Sequence, residues 1–178
     1  MTTPALNAVG FCAHYSAQGD WAFAYALDLS RRHGIQLNVF HFLADPYDTS
    51  GTAPEYSSRG ERERLIVEKE RELRLYYDAR AGDYLNVGFR LCEHREWTEL
   101  HRCLRIRQFQ VLVLGYAGRE ASFAGKPIEE FADAFVCPVV LVGPERPDQY
   151  HLNHPASIVR DRFRLAGSNW RTIDLVPG

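Results

Sequence analysis

The sequence predicts an α/β domain in which a parallel β-sheet lies between two layers of helices. Short apolar runs alternate with helical patterns along most of the 178 residues, which is typical of parallel strands joined by crossover helices. The stretch Gln110–Pro144 contains one such unit. In it Val111–Leu114 is wholly apolar, a glycine-rich loop follows, Pro127 opens a helical pattern and Val139–Val142 is a second apolar run. This order predicts a βαβ unit.

The first two strands are predicted on either side of one amphipathic helix. Ala8–Ala13 is apolar and precedes a polar turn with helix-capping residue types. A helical pattern over Trp21–His33 ends at Gly34, a residue type suited to a left-handed cap. Ile35–Leu43 starts with alternating apolar and polar residues, which indicates a strand that is less buried at its start.

The middle of the chain predicts a long loop, two helices and a third strand. Asp45–Gly60 is rich in Pro, Gly, Ser, Thr and Asp, and it predicts a loop long enough to act as a lid. Glu61–Ala81 is a charged helix with one apolar stripe, and Glu93–Gln108 is a further helix. Between them Val87–Leu91 alternates, which indicates a strand near a sheet edge.

Composition restricts the classes of partner. With 25% charged and 46% hydrophobic residues the chain is predicted to be globular, and a net charge of -2 gives no basis for binding nucleic acid or anionic membranes. No apolar run could span a bilayer, and the N-terminus lacks the features of a signal peptide. The 4 cysteines are scattered, as expected for reduced thiols. We therefore expect a cytoplasmic protein with no nucleic-acid or membrane partner.

Three segments, in this order along the chain, resemble the universal stress protein family. They are AVGFCAHYSAQGDWAFAYALDLSRRHGIQLNVFHF, VLVLGYAG and AFVCPVVLVGP. The resemblance covers Ala8 to Glu145 and implies a Rossmann-like three-layer sandwich, with a five-stranded parallel sheet of order 3-2-1-4-5. We accordingly divide the chain into a domain over residues 1–145 and a C-terminal extension over 146–178. We expect the extension to pack on the core or on a partner subunit.

The resemblance also implies an assembly and a ligand. In family dimers the fifth strand commonly pairs with its counterpart, and Val139–Val142 would be a short apolar strand at an exposed edge. We therefore expect a homodimer through Val139–Val142. Nucleotide-binding members bind an adenine nucleotide, ATP or AMP, at the switch point between the first and fourth strands. Because no His and Cys residues cluster at zinc-ligand spacing, no metal is expected.

The glycine loop after the fourth strand is the predicted phosphate site. Nucleotide-binding members carry G-x2-G-x9-G-[S/T] here, so that backbone amides and a helix start hold the phosphates. This sequence keeps Gly115-x2-Gly118, but Gly125 follows three residues early and Lys126-Pro127 replaces the hydroxyl position. Lys126 could bind a phosphate as a point charge, whereas Pro127 removes one amide. The predicted nucleotide-binding residues are Ala13, His14, Phe42, Leu114, Gly115, Ala117, Gly118, Gly125 and Lys126.

Several of these residues also have purely structural explanations. Tight turns need glycine whether or not a ligand is present. His14 stands where nucleotide-binding members usually have an aspartate, and it is equally suited to a plain turn. Phe42 is suited to the core as well as to contact with a base. The sequence therefore leaves both explanations open for each of these positions.

Three functions are compatible with these residues. The first is a stress-response protein whose state is set by an adenine nucleotide, with at most slow ATP hydrolysis because no catalytic residue is evident. The second is a family member that has lost nucleotide binding and acts as a dimeric protein-interaction module, with Asp45–Gly60 and Pro144–Gly178 as contact surfaces. The third is an enzyme of the broader nucleotide α-hydrolase-like group, which would need a further substrate pocket.

Overall fold

The structure, a computed structural model that describes residues 5–48, 55–93, 102 and 108–175, is built around one β-sheet. The strands are β1 (Ala8–Cys12), β2 (Gln36–Phe42), β3 (Val87–Cys92), β4 (Val111–Gly115), β5 (Ser122–Phe123), β6 (Lys126–Pro127), β7 (Val139–Val142), β8 (Tyr150–Leu152) and β9 (Trp170–Thr172). The helices are α1 (Ala17–His33), α2 (Arg59–Ala81), α3 (Ile128–Ala134) and α4 (His154–Phe163). The predicted helix over residues 93–108 lies almost entirely outside the described residues, as do residues 49–54 of the predicted loop.

The main sheet has the strand order β3-β2-β1-β4-β7-β8-β9. Its first five strands are parallel, which confirms the five-stranded parallel arrangement and the order that the sequence predicts. β8 then runs antiparallel to β7, and β9 runs parallel to β8. The sheet therefore has more strands than the predicted five, and the two additional strands come from the C-terminal extension.

The predicted fifth strand, Val139–Val142, does not lie at a sheet edge. It pairs with β4 on one side and with β8 on the other, where Val140 lies opposite Leu152 and Val142 opposite Tyr150. The premise of the predicted homodimer, an exposed edge on this strand, is therefore wrong. The physical reason is that the chain's own extension already hydrogen-bonds to the backbone of that edge.

Apolar layers cover both faces of the sheet. Along β4, Val111 and Val113 face one layer, whereas Leu112 and Leu114 face the other, as expected for a strand buried on both sides. The layer that contains Val111 also takes its side chains from α1, α2 and α4, and the opposite layer takes them from α3. None of the helices among the described residues is long and apolar enough to cross a membrane.

The turn between β1 and α1 brings the start of this helix close to the carboxyl end of β4. Ser16 is the N-cap of α1, and its Oγ accepts a hydrogen bond of 3.0 Å from the Gly19 amide. A Cβ atom added to Gly115 would lie only 2.9 Å from the Gly19 nitrogen. Gly115 is therefore needed for the close approach of strand and helix.

The C-terminal extension belongs to the same core. Leu152, Val159, Phe163 and Leu165 are buried in the layer that also contains the apolar face of α1. The His33 imidazole lies 2.9 Å from the Phe163 carbonyl oxygen and connects the ends of α1 and α4. Residues 150–165 are therefore attached to the core through one face, while the outer side of α4, where Ile158 is 67% exposed, stays accessible.

Candidate functional site

Tyr47 lies between the carboxyl ends of β1 and β4, where the strand order reverses. Its ring centroid is 4.3 Å from that of His14, which follows β1, and 5.0 Å from that of Phe123 in the loop after β4. The phenol oxygen is fully buried beside the Gly115 backbone and the Cys12 thiol. Burial raises the pKa of the Tyr47 phenol well above its ordinary value, with a smaller contribution from Cys12. The side chain at this point is therefore a neutral phenol.

Two hydrogen bonds, one within the loop and one to the loop after β4, hold Tyr47 in this position. An oxygen of the Asp45 carboxylate accepts a hydrogen bond of 2.9 Å from the Tyr47 amide, which is an Asx turn. The next contact joins two loops, because the Ala124 amide donates to the Pro46 carbonyl oxygen at 2.9 Å. The loop after β2 and the loop after β4 are therefore bonded to each other across the end of the sheet.

His14 lies at the predicted place but contacts protein groups. Its Nδ1 is 2.7 Å from the Ser16 hydroxyl, and its Nε2 is 3.9 Å from the Asp45 carboxylate. Its side chain is 32% exposed, and one face of the ring packs on Tyr47. Ala13 is buried, and its amide donates to the Phe40 carbonyl oxygen at 2.7 Å. The end of β1 is thus part of a packed turn.

The loop after β4 forms a small hairpin. β5 and β6 pair antiparallel, with Phe123 opposite Lys126, so that two residues connect the strands. Those residues, Ala124 and Gly125, have φ angles of 57° and 79°. Positive φ at both central positions is the geometry of a type I′ turn, and Gly125 is therefore explained by the turn itself.

Backbone amides of this loop donate to carbonyl groups of the protein. The Ala121 amide donates to Gly118 at 3.0 Å, and the Ile128 amide donates to Ala121 at 2.9 Å. The Ala124 amide is engaged by Pro46. A phosphate cradle requires several amides that face a common anion, and these three amides face acceptors within the chain.

The predicted site residues are only partly brought together. His14 and Gly115 lie beside Tyr47, whereas the Ala13 side chain is buried in the core layer on the other face of the sheet. Phe42 and Leu114 are buried in the core layer that also contains Phe123. The surface of the loop carries the remaining predicted residues, exposed or half-buried, namely Ala117, Gly118, Gly125 and Lys126.

Sequence reasoning missed Tyr47 and Phe123. The run Asp45-Pro46-Tyr47-Asp48 has the composition of a turn, so the turn itself was within reach of a sequence argument. Nothing local to these residues indicates that the Tyr47 ring points towards β4, because that direction is set by contacts with the loop after β4, far away in the sequence.

A polar cluster lies on the β8 side of the same loop. The Tyr116 hydroxyl donates to the buried Glu129 carboxylate, and the Arg119 guanidinium lies 3.7 Å from that carboxylate. Burial, and then Glu129, raise the pKa of Tyr116 above its ordinary value. The His151 ring packs on Tyr116 at 4.8 Å between centroids, and burial lowers the pKa of His151. These groups pair with one another and join α3 to β8.

A groove of about 470 Å³ runs along α1. Phe23, Ala24 and Leu27 contribute its apolar side chains, and Asp20 lies at one end. Asp20 accepts a hydrogen bond of 2.5 Å from the Tyr76 hydroxyl and lies 3.5 Å from Arg80. The charge at this end of the groove is therefore neutralised within the protein.

Comparisons with known proteins identify the fold of the chain through solved structures. No protein-family model matches the sequence, and no curated protein matches it. The structure is similar to that of the universal stress protein from Archaeoglobus fulgidus, with a TM-score of 0.51 and 14% identity, over 78% of this chain and 98% of that one. A universal stress family protein from Burkholderia pseudomallei gives a TM-score of 0.48 and 21% identity, over 76% of this chain and 95% of that one.

A third structure, that of universal stress protein UspA from Lactobacillus plantarum, gives a TM-score of 0.48 and 15% identity, over 77% of this chain and 97% of that one. In the Archaeoglobus fulgidus comparison nearly the whole of the known structure is matched, and about a fifth of this chain is left over. The chain therefore has the fold of the universal stress proteins.

Proposed function

We propose that the chain is a universal-stress-like protein that acts by binding another protein, without an adenine nucleotide at the switch point. The position of Tyr47 is the observation behind the second part of this proposal, that no nucleotide binds at the switch point. Its ring fills the space between His14 and Phe123, and its hydroxyl lies beside Gly115. A nucleotide at the switch point would have to move this ring first.

The free energy needed to move the Tyr47 ring determines how far the affinity for a nucleotide falls. Exposing a largely buried aromatic ring costs about 2–4 kcal/mol. A ligand that binds only after the ring has moved loses that free energy, so its affinity falls by roughly 30- to 1,000-fold. The amides of Ala121, Ala124 and Ile128, which already have acceptors, would contribute nothing to offset this cost.

A second candidate is the predicted binding of ATP or AMP, and one observation favours it. A Cβ atom added to Gly118 or to Gly125 would meet nothing within 4 Å, and the neighbouring Lys126 is exposed. The outer side of the loop is therefore open to an anion. This function requires Tyr47 to leave its position and the hairpin to refold around the phosphates.

Thermal unfolding separates the two candidates. The purified protein is heated alone, with ATP and with AMP, and we expect the same melting temperature in all three cases. A ligand at about 100 times its dissociation constant would add about 2.7 kcal/mol and raise the melting temperature by several degrees. The same measurement is made on Lys126→Glu. Arg71→Glu, a matched charge reversal on α2, is the control. A rise in the wild type that Lys126→Glu removes and Arg71→Glu preserves would overturn the proposal.

A further inference from the structure

The edge of β7 that faces away from β4 is occupied by the chain itself. Gly143 donates its amide to the Gln149 carbonyl oxygen at 2.9 Å, and the Asn153 amide donates to Val139 at 3.2 Å. Hydrogen-bonded pairs alternate along an antiparallel ladder, and Leu141 lies opposite His151 between these two bonds. The backbone of Leu141 therefore also faces β8.

The strand that covers this edge is firmly attached. Asn153 follows β8, is completely buried, and makes four hydrogen bonds through its side chain. Its Oδ1 accepts from Val139 at 2.9 Å and from Ala156 at 3.0 Å, while its Nδ2 donates to Ala132 at 2.8 Å and to Cys137 at 2.9 Å. Leu152 lies in the core beside it. Removal of β8 from β7 would break this network as well as the ladder.

Covalent connection gives β8 a further advantage over a strand from another molecule. The short linker between β7 and β8 keeps β8 at an effective concentration in the millimolar range at the edge of β7. Another copy of the chain at about micromolar concentration competes at a disadvantage of roughly a thousandfold. The connection here is short and ordered, because the Glu145 amide donates to the Gln149 side chain at 3.1 Å.

We propose that the C-terminal extension takes the place of a second subunit at this edge, so that the chain does not pair with another copy along Val139–Val142. The edge of the sheet moves to β9, which has 3 residues and carries the exposed Arg171. A short edge strand with a charged residue is a typical protection against strand pairing between molecules. Contacts with a partner protein therefore use surfaces other than the end of this sheet.

Amide hydrogen exchange, resolved by residue, tests this directly. The exchange of Leu141 and Gly143 is measured over about a hundredfold range of protein concentration. Protection from within the chain does not depend on concentration, whereas protection by a second copy increases with it. We expect constant protection of both amides. Protection that increases with concentration, or the absence of protection at every concentration, would overturn the proposal.

A pair of variants provides the second test. His151→Pro removes the backbone N–H that β8 offers to β7, and His151→Ala removes the same side chain but keeps the N–H. We expect His151→Pro to expose Leu141 to exchange and to self-associate in sedimentation, and His151→Ala to do neither. A folded His151→Pro protein in which Leu141 exchanges freely at low concentration, but which stays monomeric at high concentration, would overturn the proposal. If His151→Pro does not fold, the exchange of the wild type alone decides.

Discussion

Replacement of Asn153 by alanine is expected to destabilise the protein more than any other truncation of a polar side chain in the extension. Asn153 is completely buried, and its four hydrogen bonds connect the end of β8 to β7, to α3 and the residue Cys137 that follows it, and to the first turn of α4. It is also the N-cap of α4. The alanine side chain can replace none of these bonds.

The magnitude follows from the groups that lose a partner. The cap of α4 contributes about 1 kcal/mol. The Val139 amide and the Cys137 carbonyl lose the Asn153 side chain, and a buried backbone group without a partner costs roughly 1–3 kcal/mol. The Ala132 carbonyl also loses it but still accepts from the Phe135 amide at 3.4 Å. Since water can enter part of the space left behind, we expect a total loss of about 3–5 kcal/mol. In a domain of this size each kcal/mol lowers the melting temperature by roughly 2–4 °C.

Urea denaturation followed by circular dichroism measures this loss, and Asn169→Ala is the matched control. Asn169 is an asparagine of the same extension whose side chain makes an exposed hydrogen bond of 2.9 Å to Asp148. Its truncation should change the free energy of unfolding by less than about 0.5 kcal/mol. If Asn153→Ala is as mild as the control, the extension is not attached to β7 in the way described.

Three further substitutions have defined outcomes. Gly143→Ala should lower the free energy of unfolding by roughly 1–3 kcal/mol, because φ is 121° and the new Cβ would lie 2.4 Å from the Tyr116 carbonyl oxygen. Chemical denaturation measures this loss, and an unchanged midpoint would contradict the prediction. Ser16→Ala should cost about 1 kcal/mol through loss of the α1 cap, and Ser16→Asp should restore most of this. Burial, and then Lys69, lower the pKa of His41 below its ordinary value of 6.5, so stability should fall as the pH drops below 6.5. His41→Gln should reduce that slope by up to about 1.4 kcal/mol per pH unit, and a pH series of urea unfolding with the same slope for both proteins would refute it.

The parallel part of the sheet could be predicted because its signals are local. Val111–Leu114 and Val139–Val142 are short runs without a polar residue, and strands covered on both faces have this composition. The glycine after α1 and the capping residues before it mark the ends of that helix. The resemblance to a family then supplied the strand order, which local patterns do not determine.

The two extra strands could not be predicted in the same way. β8 and β9 have 3 residues each, which is too short for a periodic pattern. Their pairing depends on Asn153, whose partners lie in other parts of the fold. In the sequence this residue is an ordinary polar residue before a proline-containing helix. The expectation of a free edge on β7 was wrong for this reason.

The site shows the same division between local and long-range determinants. The meeting of the ends of β1 and β4 follows from the predicted topology, so Ala13, His14 and Gly115 were placed in the same region. The side chain beside His14 and Gly115 is that of Tyr47. It belongs to a loop whose course depends on the hydrogen bond from the Ala124 amide to the Pro46 carbonyl oxygen. A sequence argument can predict where the strand order reverses. It cannot show which side chain of a long loop packs into the cleft at that point.

Calorimetric titration of ATP into the wild type and into Tyr47→Ala is the most direct test of the closed switch point. Tyr15→Ala is the control, because Tyr15 lies in the neighbouring turn, is 48% exposed and packs on His41 and Tyr76 instead. We predict that neither the wild type nor Tyr15→Ala binds ATP measurably. If any of the three proteins binds ATP, it should be Tyr47→Ala. Tight binding of ATP to the wild type, with an affinity that Tyr47→Ala leaves unchanged, would contradict the proposal that this ring closes the site.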